Sequence, residues 1–146
     1  MTGFQIVKDP NDTDVIEVTV SSVTAAVRDL LELDIAATAW TIADSATEHW
    51  QRKAIVQKAI TSADTVASVI LVNPWMLIEA DSANNSDITH NGDRMLLTDQ
   101  NTVNNTGTDN TSEEANFVQF GIAGAAADKR ILGYFLGGTG VNPDAA

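Results

Sequence analysis

The side chains that most often carry catalysis are sparse in this sequence. Two histidines occur, His49 in TEHW and His90 in ITHNGD, and there is no cysteine. Neither histidine belongs to an HExxH, HxE or HxH pattern, so a zinc site would need ligands from distant loops. The lack of cysteine excludes disulfides, thiolate metal sites and a cysteine nucleophile. We interpret both histidines as surface residues in turns.

Nucleophilic catalysis and phosphate binding find little support. Serine and aspartate are plentiful, so composition leaves a Ser–His–Asp set open, but no G-x-S-x-G turn occurs. The segment GGTG (137–140) lacks the lysine and the following helix of a phosphate-binding loop. We therefore expect no enzyme activity and no cofactor.

Acidic residues dominate the charge. The chain has 20 acidic and 8 basic residues, a net charge of −12. Nucleic acid is excluded as a direct partner because phosphate binding needs clustered lysine and arginine. The segments DPNDTD (9–14) and DNTSEE (109–114) contain clustered carboxylates. They lack the calcium-loop spacing with its glycine, so we interpret them as solvated acids and expect no metal, with a loose calcium site as the alternative.

Length and composition predict one domain with flanking segments. A chain of 146 residues suits a single domain. Residues 1–14 contain a polar turn around Pro10 and resemble an extended N-terminal arm, not a signal peptide. Residues 15–136 form the expected β domain, and residues 137–146 form a flexible tail. The longest apolar run, 69–78, contains Asn73 and Pro74 and is too short to span a membrane.

Short segments of alternating or β-branched residues predict a mainly β fold. No βαβ pattern occurs, so we expect a small β-barrel, β-tulip-like or sandwich domain with at most short helical turns. The pattern does not decide the secondary structure of residues 23–28. Ser45 and Glu48 have the spacing of a helix cap, which would suit a longer helix. We nevertheless favour a helical turn near 45–50 followed by a strand over 53–60. Up to nine strands are predicted, and they include 14–22, 29–35, 38–44, 66–72, 75–81, 94–98, 116–124 and 130–138.

Residues 98–114, TDQNTVNNTGTDNTSEE, are almost entirely polar, and Val103 is the only large apolar residue. Asparagine and threonine side chains satisfy nearby backbone groups through local turns. We therefore expect a long ordered loop here, with no chemistry of its own.

A few apolar residues have no obvious place in a compact domain. Phe4, Ile6 and Val7 lie in the predicted arm, and the strand that follows contributes Ile16 and Val18. Trp40, Trp50 and Trp75 suit core packing, but Trp75 follows Pro74 at a strand start and is the best candidate for partial exposure. The candidate interface is Phe4, Ile6, Val7, Ile16, Val18 and Trp75, with strand addition as its binding mode. The alternative to a binding arm is that residues 15–20 form an ordinary strand of the domain and the residues before them are frayed.

The second half of the chain resembles a known group of proteins. TSADTVASVILVNPWMLIEADSANNSDITHNGDRMLLTDQNTVNNTGTD (61–109), followed by GAAADKRILGYFL (124–136), is similar to the capsid decoration, or cement, proteins of tailed bacteriophages. The resemblance covers roughly residues 53–136 and does not extend to the first 50 residues.

The resemblance implies a structural protein on the exterior of the virion. Its partner would be the major capsid protein, whose neighbouring subunits it would clamp, and its own state would be a homotrimer, with neither nucleic acid nor membrane bound. The alternatives are another phage β-domain, such as a head-fibre base or tail-tube component, and a small β-barrel hydrolase or sugar-binding domain.

Overall fold

The computed structural model describes residues 2–33, 38–108, 112–138 and 140, with no side-chain description for residues 107 and 108. The fold is mainly β, as predicted, and short 3-10 helices occur at Ile88–His90 and Ala126–Asp128. Eleven strands form two sheets: β1 Gln5–Lys8, β2 Val15–Thr19, β3 Leu30–Leu33, β4 Thr41–Ile42, β5 Arg52–Val56, β6 Val66–Leu71, β7 Leu77–Ser82, β8 Arg94–Asp99, β9 Thr102–Thr108, β10 Phe117–Ile122 and β11 Arg130–Phe135.

Five strands close into a small barrel, which confirms the predicted fold class. The order around the barrel is β7, β11, β10, β8, β9 and back to β7. All neighbours are antiparallel except β7 and β9, where Asp81 pairs with Thr102 and Ser82 with Val103 in parallel. Strand β1 pairs antiparallel with β7 through Gln5 and Glu79.

Alternate side chains of the barrel strands form its core, as expected for strands with two distinct faces. Phe4, Phe117 and Phe135 pack as a trio, with the Phe4 and Phe135 ring centroids 5.3 Å apart and those of Phe117 and Phe135 5.1 Å apart. Gly133 makes room for this packing, because an added Cβ would lie 2.5 Å from the Phe117 ring. The buried cluster also includes Ile78, Ala80, Met95, Leu97, Val103 and Ile131.

The second sheet has the order β2, β6, β5, β3, β4, with all pairs antiparallel. A bridge between Val20 and Trp40 brings its two ends together. The sheet buries side chains on both faces. Leu30 and Ile55 extend the barrel core, whereas their neighbours contribute to a second apolar cluster of Val20, Val23, Ala25, Leu31, Trp40, Ala54, Val56, Ile60, Ala67 and Val69.

Two predicted segments differ from the structure in an informative way. Residues 45–50 form successive turns without a helix, because side chains satisfy backbone N–H groups locally: Thr47 accepts from Asp44, and Gln51 accepts from Glu48. The polar crossing predicted as a loop contains β9, the strand that closes the barrel. Residues 109–111 of that crossing lie outside the described residues.

The remaining strand predictions differ mainly in extent. The strand preferred over 53–60 is present as Arg52–Val56. The strand predicted at 29–35 is Leu30–Leu33, and residues 34 and 35 lie outside the described part. The strand predicted at 38–44 is shorter in the structure and comprises Thr41–Ile42. Most of the predicted tail, residues 139 and 141–146, also falls outside the described residues.

Candidate interaction surface

The first strand belongs to the fold, whereas the sequence predicted a detached arm. Phe4 has no exposed surface and lies in the barrel core. Its N–H donates to the carbonyl of Arg28 at 2.9 Å, and the N–H of Gly3 donates to the carboxylate of Asp81 at 2.8 Å. Phe4 is therefore a core residue, and its assignment to the surface is wrong. Ile6 is half-buried and packs against the same core.

Val7 is the exposed residue of this strand. The register shifts between Ile6 and Lys8, which leaves Val7 as the extra residue of a bulge with 52% of its surface exposed. The chain then turns through residues 9–13. The carboxylate of Asp9 accepts the N–H groups of Asn11 at 3.1 Å and Thr13 at 2.7 Å, and these bonds hold its pKa below the ordinary value.

Strand β2 is an exposed edge. It pairs with β6 on one side. On its other side, Val15–Val18 pair with no described strand, and the carbonyl of Thr19 at its end accepts the Trp40 N–H at 2.9 Å. Val15 and Ile16 are 55% and 39% exposed, although they point to opposite faces. Val18 is half-buried against the second apolar cluster. A strand edge with exposed apolar side chains is a template for pairing with another chain.

Trp75 is the most exposed of the large apolar residues, with 74% of its surface accessible. It lies in the turn between β6 and β7. The side chain of Asn73 accepts the Trp75 N–H at 3.1 Å and donates to the hydroxyl of Thr13 at 3.3 Å. These bonds tie the Trp75 turn to the segment that leads into β2. Trp40 and Trp50 are buried, as predicted for core residues.

A groove of about 420 Å³ separates β1 from the second sheet. Its apolar lining comes from Phe4, Ile6, Val27, Ile55 and Ile70, and its polar lining comes from Gln5, Asp9, Asp12, Thr13, Arg28 and Gln57. Val15 pairs with Ile70, so the exposed face of β2 continues this apolar lining. Sequence reasoning missed the groove because its walls come from segments far apart in the chain.

The wall at Arg28 has an unusual backbone. The N–H of Asp29 donates to the carbonyl of Ala26 at 3.1 Å, so Val27 and Arg28 are the central residues of a β-turn. Arg28 has a φ of 76°, a conformation that glycine or asparagine adopts more easily. The carboxylate of Asp29 accepts the Ala26 N–H at 2.9 Å, and burial raises the pKa of Asp29.

Lys53 is the most unusual ionisable group of the interior. Its ammonium donates to the carbonyls of Glu48, His49 and Gln51 at 3.2, 3.1 and 3.0 Å. Burial lowers its pKa to about 7, and the nearby Glu32 opposes this shift. The site is closed: only 2% of Lys53 is exposed. Lys53 therefore has a structural role in holding these backbone segments together, because a reactive amine would need access to a substrate.

The histidines do not build a catalytic site in the described residues. His90 lies in the first 3-10 helix, 3.1 Å from the carboxylate of Asp93, and is partly exposed. The backbone of His49 bonds to Glu113, Gly138 and the Lys53 ammonium. Within the described ranges no group of three or more His, Cys, Asp or Glu side chains is arranged to hold a metal ion. No helix there is long and apolar enough to cross a membrane.

No protein-family model matches this chain, and no curated protein matches it either.

Proposed function

We propose that this protein is a capsid decoration protein of a tailed bacteriophage. It would bind the outer surface of the capsid and stabilise the shell by clamping neighbouring major capsid subunits. The resemblance of residues 53–136 to this family supports the proposal, and those residues include all five strands of the barrel. The mainly β fold is compatible with it.

The exposed edge of β2 is the observation that carries the proposal. Val15 and Ile16 expose apolar surface on the first part of β2, where the second edge pairs with no described strand, and Trp75 adds a large exposed aromatic side chain. Strand addition at such an edge supplies main-chain hydrogen bonds, and pockets for alternate side chains supply specificity. Aromatic residues such as tryptophan often anchor interfaces. The capsid-facing surface is therefore β2 together with the Trp75 turn.

The charge of the protein fits this role. Asp14 precedes β2 and Glu17 lies at its centre, so the apolar edge carries carboxylates. With a net charge of −12, copies repel one another in solution and the edges do not pair at random. On the shell, each bound copy stabilises the assembled lattice by mass action, by RT ln(1 + [L]/Kd) per site. Homotrimers on the virion exterior are part of the proposal.

The chemistry of the described residues supports a non-enzymatic role. The groove beside β1 contains no histidine, and the buried Lys53 faces backbone carbonyls. A catalytic site needs a nucleophile, a base within hydrogen-bond reach and an accessible cavity. In the groove, Thr13 lies beside the Asp9 carboxylate, but neither histidine nor lysine is among the described residues that line it.

Particles that lack the protein provide the test. Purified wild-type protein is expected to co-sediment with them and to raise their thermal disruption temperature. Val15→Lys and Trp75→Ala should weaken binding at least about tenfold, since each removes an exposed apolar contact from the interface. Val66→Lys is the matched control, because Val66 is 49% exposed on β6 and lies off the free edge.

Two outcomes would contradict the proposal. The first is a wild-type protein that stays in the supernatant at concentrations equal to that of the major capsid protein. The second is its absence from purified virions by mass spectrometry.

A further inference from the structure

The groove between β1 and the second sheet contains an arginine whose side chain has no partner among the described residues. Arg52, Arg94 and Arg130 all have interaction partners; Arg94, for example, donates to the carbonyl of Ala115 at 2.9 Å. Arg28 lines the groove, and no described residue forms a hydrogen bond or ion pair with its guanidinium. A guanidinium has a planar fork of donors that matches a carboxylate in two parallel hydrogen bonds.

The local backbone makes arginine an unexpected residue at this position. Arg28 occupies the turn position where φ is 76°, and glycine there would avoid the steric cost of a side chain. Its carbonyl accepts the Phe4 N–H, so the turn also holds β1 in place, but that bond requires only the backbone. Neither role accounts for the side chain. A non-glycine residue with positive φ beside a cavity indicates that its side chain has a function, such as binding a ligand.

The rest of the groove fits an extended peptide. Phe4 turns its N–H towards Arg28, away from β7, and strand alternation directs the N–H and carbonyl of Ile6 to the same side. That edge of β1 pairs with no described strand. Ile6, Ile55 and Ile70 line the groove beside this edge and offer an apolar surface for alternate side chains. Its volume of about 420 Å³ falls within the range of ordinary ligand sites.

We propose that this groove binds an extended peptide segment in which one acidic side chain, flanked by apolar residues, pairs with Arg28. The segment forms hydrogen bonds with the Ile6 backbone, on the part of this edge that Arg28 does not occupy, and places its apolar side chains against Ile6 and Ile70. Asp9 and Asp12 also line the groove, so a segment with several acidic residues is repelled. The inference goes beyond the proposed capsid role, because it concerns the groove, which adjoins the β2 surface at Ile70, and is tested on the isolated protein.

The test is a titration of the isotopically labelled full chain with two capped hexapeptides, followed by nuclear magnetic resonance. One has the sequence Val-Thr-Val-Glu-Val-Thr, and the other has glutamine in place of the glutamate. The glutamate peptide is expected to shift the amide signals of Ile6, Val27 and Arg28, with a dissociation constant on the order of 1 mM or tighter. The glutamine peptide should bind about tenfold more weakly or not at all.

The Arg28→Gly variant tests peptide recognition by the side chain without disturbing the fold. Glycine suits the left-handed backbone, so the variant should fold like the wild type and lose about tenfold or more in affinity for the glutamate peptide. Ser22→Gly is the matched control, since Ser22 is exposed, has a φ of 56° and does not line the groove; it should bind like the wild type.

Three results would overturn the proposal. These are no signal shifts with the glutamate peptide at its solubility limit, equal binding of the two peptides, and unchanged affinity in Arg28→Gly. Loss of particle binding would instead count against the capsid role alone.

Discussion

The carboxylate of Asp81 on β7 accepts the N–H of Gly3 at 2.8 Å and also pairs with the guanidinium of Arg130 on β11. Arg130 pairs in turn with Glu79 at 3.1 Å, and its guanidinium donates to the Gly3 carbonyl at 3.4 Å. One partly buried charge network thus fastens the first residues of the chain to two barrel strands.

Asp81→Asn should destabilise the protein by about 1–3 kcal/mol, because it removes the charge that Arg130 faces in a mostly buried setting. Urea unfolding measures the change. Asp93→Asn is the control with the same chemical change: the Asp93 carboxylate pairs with the partly exposed His90, and its substitution should cost less than about 1 kcal/mol. Equal effects of the two substitutions would mean that the network does not hold the N-terminal residues.

Phe4→Ala should cost about 3–5 kcal/mol, because it empties a fully buried site in the phenylalanine trio. Val7→Ala, on the exposed bulge of the same strand, should change the unfolding free energy by no more than about 0.5 kcal/mol. Denaturant unfolding of both variants distinguishes an integral first strand from a detached arm. A detached arm would give small effects for both.

Lys53→Met tests the buried ammonium through pH. The pKa of Lys53 is lowered from 10.5 to about 7, so between these values the unfolded state binds more protons than the folded state. The unfolding free energy of the wild type, measured relative to Lys53→Met, should therefore rise with pH across this window, by at most about 1.4 kcal/mol per pH unit. Below the folded pKa the difference should stay constant.

The measurement is urea unfolding of both proteins at several pH values between neutral and alkaline. The contributions of ionisable groups that the two proteins share cancel in the difference. A difference that falls with rising pH would show that the carbonyls of Glu48, His49 and Gln51 favour the ammonium more than burial disfavours it.

Gly133→Ala should destabilise the barrel by about 3 kcal/mol or more, because its Cβ would lie 2.2 Å from the carbonyl oxygen of Val118 and 2.5 Å from the Phe117 ring. Gly121→Ala, on the neighbouring strand, meets no atom within 4 Å and should have little effect. Thermal unfolding of the two variants gives the comparison. Similar melting temperatures would mean that β10 and β11 pack less tightly than the structure shows.

The candidate surface was only partly predictable from the sequence. Exposure of Trp75 follows from its place after Pro74 at a strand start, and the alternation in residues 15–20 predicts β2. The burial of Phe4 does not follow, since its pocket is built by Phe117 and Phe135 from the far end of the chain. The turn at Arg28 could not be predicted either, because neither glycine nor asparagine occupies its position of positive φ.

The class of the fold and most of its strands follow from the amino-acid sequence, because alternation of apolar and polar residues is a local property that sets which face is buried. Only the tertiary structure decided that the polar segment Thr102–Thr108 is a barrel strand. A single apolar residue, Val103, anchors its inner face, and the buried Asn105 donates to the carbonyls of Asn84 and Asn85 at 3.1 and 3.0 Å. Its strand conformation depends on backbone pairing with β7 and β8, and such distant partners leave no local pattern.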